Sequence, residues 1–145
     1  MSSVRSVFSL LLTTAFLLTG HGIHMTFLPL MASDIGLSQT VIGISGSAYF
    51  AGFISGAMVT PHIIAKVGHI RSFTTLMAVF LCCFQVLPMT DSSVMWILVR
   101  FLLGAVMCGA YTVVESWLSD QAGASTHGRV LGIYTLVVLG AMALG

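Results

Sequence analysis

Arg100, Cys108, Tyr111 and Glu115 place a cation, a thiol, a phenol and a carboxyl inside one long apolar stretch, with Gly104 between them. Spacings of 4, 4, 3 and 4 put the five residues within roughly 80° of one helix face. If the stretch lies in a bilayer, a charge near its centre costs at least ~2.5–3.5 kcal/mol, so this face is expected to look at other helices or water. Arg100 and Glu115 lie about 22 Å apart along such a helix and cannot pair. A second set is Gly20-His21-Gly22-Ile23-His24, two imidazoles at i and i+3 with a glycine on each side of the first. Imidazoles suit proton carriage near neutral pH. The glycines are expected to loosen the helix and bare carbonyls, the chemistry of a binding site at mid-depth. The competing reading is a hydrogen-bonded pair of packing histidines. A guanidinium has five donors and keeps its charge, so the carbonyls near Gly20 and Gly22, Thr19 and a neutral His24 are the expected acceptors for Arg100.

The elements that hold these residues follow from composition. Of 145 residues, 57% are hydrophobic and only five Lys/Arg and four Asp/Glu are charged. Mean hydropathy is +1.06. Disorder needs high charge, and a nucleic-acid partner needs a basic patch; a net charge of +1 offers neither. The expected partner is the lipid bilayer. Apolar runs predict spans over about residues 7–30, 41–64, 72–88 and 94–118, with a fifth from about 130. The first run has a signal peptide as its rival reading, but it continues to Leu30 without a small-residue cleavage site. Arg5, Lys66, Arg71 and Arg129 fall on one side of this layout, and Asp34 and Asp91 fall in loops without Lys or Arg. The positive-inside rule therefore predicts a cytoplasmic N-terminus.

The loops are too short for a catalytic domain, and no phosphate loop, nucleophile elbow or metal cluster is present, so no enzyme activity, cofactor or metal is expected. Cys82, Cys83 and Cys108 lack metal-ligand spacing and read as apolar fillers. Gly52-x-x-x-Gly56 and Gly104 are expected to let helices approach closely, and Pro61 to kink the second span by freeing the carbonyl of Ala57. Lys66, Arg71, Glu115, Asp120 and Arg129 gather on the cytoplasmic side as candidate latch charges. Glu115 reads either as a latch group or as a proton carrier.

These features resemble the start of a major facilitator superfamily transporter. The family's loop between helices two and three has the form G-x-x-x-D-R-x-G-R-R. Lys66 and Gly68 match it, Arg71 is displaced by one, and Pro61 and Ala65 replace the first glycine and the aspartate. The family's helix-four motif, R-x-x-x-G, is matched by Arg100 and Gly104. Residues 47–53, 67–73, 115–120 and 128–134 are similar to a group of bacterial transporters, the YcaD-like permeases. The resemblance implies an all-α membrane protein, a transmembrane helix bundle holding the first four helices and most of a fifth of a six-helix half. It implies that the remaining C-terminal helices of the same protein are partners. The implied function is alternating-access transport of a small solute across the bacterial inner membrane, with protons as candidate coupling ions. His21, His24, Arg100, Tyr111 and Glu115 are the pathway candidates. A non-transporting truncated or structural membrane protein is the alternative.

Overall fold

The computed structural model describes residues 2–121 and 127–145, with side chains for 8–121 and 128–145. The described residues are almost all helical and contain no strand. The helices are α1 (Ser2–Asp34), α2 (Gln39–Val67), α3 (His69–Val86), α4 (Ser93–Gln121) and α5 (His127–Leu144), and a 3-10 turn (Leu87–Met89) extends α3. Among the described residues, four stretches are long and apolar enough to cross a membrane: Phe8–Asp34, Gln39–Val67, His69–Met89 and Ser93–Gln121. Without water to bond exposed amides, a membrane segment keeps its backbone bonds internal, and long apolar runs become helices.

That constraint overrides the loosening expected at Gly20 and Gly22. α1 is an uninterrupted α-helix of 33 residues. Two glycines cost a helix about 1 kcal/mol each relative to alanine, while each unsatisfied backbone group in lipid costs several. α2 runs on through Pro61 to Val67, so the proline lies within the helix and does not end it. α5 begins at His127, which puts Arg129 in its first turn rather than in a loop. Part of the expected loop before it, residues 122–126, lies outside the described residues.

The chain packs as two units, Met1–Pro29 with Val114–Gly145, and Leu30–Val113. In the first unit, Thr14, Leu18, His21, Gly22, His24 and Leu28 are the buried residues along α1 from mid-helix onward. Their spacing is that of one helix face. A Cβ on Gly22 would come within 3.2 Å of the Gly145 Cα and the Met142 carbonyl, so this glycine serves the close approach of α1 to the end of α5.

In the second unit, tight turns set how the helices follow one another. α1 is closed off just past Asp34 by Gly36, φ +82°, with the Gly36 amide donating to Ser33 O and the Leu37 amide to Ala32 O. Paired bonds of this kind satisfy the last helical carbonyls. The Ser38 side chain then caps α2 by accepting from the Val41 amide. Between α2 and α3 there is a single residue, Gly68, at φ +83° and ψ 169°. Its amide donates to Ile64 O at 2.8 Å, and its carbonyl accepts from the Ser72 hydroxyl at 2.7 Å. Beyond α3, the buried Trp96 donates through Nε1 to Thr90 O at 2.9 Å and pins the turn into α4.

Gly68 occupies a backbone region that only glycine enters without strain, at about 1–3 kcal/mol for other residues. Gly68→Ala is expected to lose about that much stability in detergent unfolding. Gly43→Ala, at an open helical position, should be neutral or stabilising. Equal stability of the two variants would show that the one-residue turn does not require glycine.

Candidate functional site

The site is built on the contact between α2 and α4 in the second unit. The buried residues of α2 are Ser45, Tyr49, Gly52, Gly56 and Thr60, one face of the helix. A Cβ on Gly52 would overlap the Phe101 carbonyl, and one on Gly56 would overlap the Ala105 carbonyl. A Cβ on Gly104 would overlap the Tyr49 carbonyl and lie 3.0 Å from the Phe53 amide. Farther along, a Cβ on Gly109 would lie 2.8 Å from Thr60 Oγ1 and 3.0 Å from Leu76 of α3. Contacts advance along both helices in the same sense, so α2 and α4 run parallel and touch backbone to backbone. Glycine alone permits this spacing, which replaces side-chain packing with main-chain dispersion contact.

The approach delivers Arg100 to Tyr49. Arg100 is 7% exposed, and its guanidinium carbon stands 4.7 Å from the centre of the Tyr49 ring. A cation over an aromatic face gains up to about 2 kcal/mol or more when desolvated. Tyr49 is 4% exposed and lies beside Phe50, edge to face at 5.6 Å, and beside Phe53 at 6.4 Å. Phe53 in turn meets Tyr111 of α4 at 6.2 Å. An aromatic row thus continues from the cation along the α2–α4 contact.

Sequence reasoning missed Tyr49. The signal was available: Tyr49 lies three residues before Gly52, on the face that carries Gly52 and Gly56. The polar face expected on α4 is enclosed only in part. Arg100, Gly104 and Cys108 are buried, Tyr111 is half-buried and Glu115 is exposed. His21 and His24 are buried on α1, 3% and 7% exposed. Lys66, Arg71, Asp120 and Arg129 are exposed, as are Asp34 and Asp91. Cys82 is exposed, and Cys83 and Cys108 are buried free thiols. Among the described residues no group of three His, Cys, Asp or Glu side chains is placed to hold a metal ion.

Comparison with known proteins follows the same line. The profile of the Major Facilitator Superfamily matches residues 10–145. The chain is 28% identical over 138 residues to proteins described as "Uncharacterized MFS-type transporter YcaD" from Escherichia coli O9:H4 (strain HS) and Escherichia coli (strain K12). The YcaD protein of Escherichia coli O157:H7 (strain EC4115 / EHEC) is similar to the same degree. Each match covers 94% of this chain and 36% of the relative, so the chain spans about a third of the length of these relatives. No solved structure matches the chain.

The Arg100–Tyr49 contact is testable by a double-mutant cycle read by unfolding in detergent. Tyr49→Phe keeps the ring and should cost less than Tyr49→Leu, which should lose about 2 kcal/mol. In an Arg100→Leu background that penalty should shrink to the difference in packing alone. An unchanged penalty there would mean that the ring does not hold the guanidinium.

Proposed function

The chain belongs to the major facilitator superfamily, and on that premise we propose that it supplies the first helices of a carrier that moves a small solute across the bacterial inner membrane by alternating access. The observation that carries the reading is the buried guanidinium of Arg100. A fixed cation inside a membrane helix is costly, and such groups commonly mark a substrate or ion path. His21 and His24, buried, and Tyr111, half-buried, join it as pathway candidates. Protons are the candidate coupling ions, with the two imidazoles and the exposed carboxyl of Glu115 as groups able to take them. Family membership points to transport rather than catalysis. The remaining helices of the carrier are the partners of these.

Orientation follows from charge. Lys66 and Arg71 flank the α2–α3 turn and Arg129 opens α5, while Asp34 and Asp91 lie at the two opposite turns. The N-terminus is therefore cytoplasmic. Lys66, Arg71, Glu115, Asp120 and Arg129 then share the inner rim, where exposed charges add only about 0–1 kcal/mol each in pairs yet can bias which way a carrier faces.

Alkaline phosphatase fused after Asp91 should be active, and fused after Gly68 inactive; the reverse pattern would overturn the orientation. In the intact carrier, cysteines introduced near the two membrane faces should label alternately. Glu115→Gln should change the ratio of inward to outward labelling. Labelling from one side only, whatever the condition, would sink alternating access, and identical ratios in variant and parent would remove Glu115 from the latch.

A further inference from the structure

We propose that the one-residue turn between α2 and α3 binds an anionic phospholipid, with Lys66 and Arg71 holding its phosphate and Val67 and Ile70 meeting the start of its acyl chains. This rests on the orientation proposed above only for which leaflet supplies the lipid.

The argument is one of depth. The stretches Gln39–Val67 and His69–Met89 are each long and apolar enough to cross a membrane, and Gly68 alone separates them. The turn therefore lies at a membrane face, with no loop to carry its neighbours out into water. Lys66 stands about 3 Å and Arg71 about 4.5 Å from Gly68 along their helices, at 1.5 Å per residue. The second stretch leaves little slack. Its 21 residues make a helix of about 32 Å, against a hydrocarbon core of about 30 Å. The backbone thus holds both cations near the level of the phospholipid phosphates rather than beyond it.

The side chains at that level fit a lipid better than a soluble anion. Lys66 and Arg71 are exposed, and between them Val67 and Ile70 are 45% and 65% exposed. Long basic side chains lay their methylenes along apolar surface and keep the charge at the interface. Apolar groups beside them gain by meeting acyl chain, which a free phosphate does not bring. The turn is open: among the described residues, a Cβ on Gly68 would meet nothing within 4 Å. Residues 35–90, which hold both helices, contain no Asp or Glu. The hairpin itself therefore offers no carboxylate to the amine of a zwitterionic headgroup, while its two cations favour a headgroup of net negative charge.

The test is thermal stabilisation of the intact carrier in detergent by added lipid, since a ligand that binds the folded state raises its Tm with concentration. The probes are phosphatidylglycerol, and phosphatidylcholine and phosphatidylethanolamine with the same acyl chains. Glycerol phosphate supplies the phosphate without chains. Phosphatidylglycerol should raise the Tm at lower concentration than either zwitterionic lipid, and glycerol phosphate should not raise it. Lys66→Gln and Arg71→Gln should each raise the half-saturating phosphatidylglycerol concentration about fivefold, because one basic group near an anionic surface contributes about 1 kcal/mol. The double variant should no longer distinguish phosphatidylglycerol from phosphatidylcholine. Lys66→Arg and Arg71→Lys keep the charge and should keep the preference. Ile70→Glu, at an exposed position, should remove it. An equal response of the parent to all three lipids would overturn the inference, and that is the outcome if other helices of the carrier cover the turn. So would an equal shift from glycerol phosphate, or a preference that survives in the double variant. If the double variant does not fold, the single variants and Ile70→Glu decide by the same criterion. Detergent has no leaflets, so the phosphatase fusions separate the two readings. An active fusion after Gly68 overturns the orientation and leaves the lipid site standing; an inactive fusion with no preference for phosphatidylglycerol does the reverse.

Discussion

The second unit depends on the backbone contact between α2 and α4. Gly52, Gly56 and Gly104 face carbonyls of the opposite helix where any Cβ would overlap them. Lipid tails are as apolar as leucine, so helices in a bilayer gain little by hiding hydrophobic surface from lipid. They gain by fitting, and small residues allow the closest fit. The Tyr49 ring and the Arg100 guanidinium meet because the main chains that carry them are this near. A bulkier residue at Gly104 would push α4 away from Tyr49 and separate the cation from its ring.

Electrostatics gives that contact its chemical meaning. Of nine charged residues, seven lie near helix ends or turns; the other two, Arg100 and Glu115, both lie well within α4, and of these Arg100 is buried and Glu115 exposed. Residues at turns keep their charge in water or among headgroups. Arg100 lies seven residues into α4, about 10 Å from its start, and its side chain is buried rather than extended to that end. It cannot shed its proton either. The surrounding structure must accommodate a permanent cation, and the aromatic row beginning at Tyr49 is part of how it does so.

The turns matter to the site at one remove. The one-residue link at Gly68 and the Trp96 bond to Thr90 determine where α3 begins and where α4 enters. α3 then brings Leu76 against Gly109 on the face of α4 that also meets Thr60. The glycine requirement differs between the two places. At Gly68 it is conformational, because the backbone is left-handed; along α2 and α4 it is steric, because the helices are ordinary but adjacent.

Much of this was legible in the residues alone. Hydropathy and the scarcity of charge dictate an all-helical membrane protein, because the bilayer leaves so few ways to satisfy a backbone. The spacing of Arg100 and Gly104 carries the family resemblance, and the identity of Arg100 as a buried cation follows from its place in an apolar run. What the residues did not reveal was Tyr49 and the continuity of α1 through Gly20 and Gly22. The reason is the same in each case. Periodicity says which residues share a face, but not which helix that face meets or how far along it the meeting extends. A glycine pair in isolation reads as weakness; against the end of α5, Gly22 is a point of close packing. Sequence determined which groups the membrane would have to accommodate, since that depends on composition and local pattern. Tertiary structure alone decided what Arg100 touches, since that depends on two backbones, some fifty residues apart in the chain, coming into direct contact.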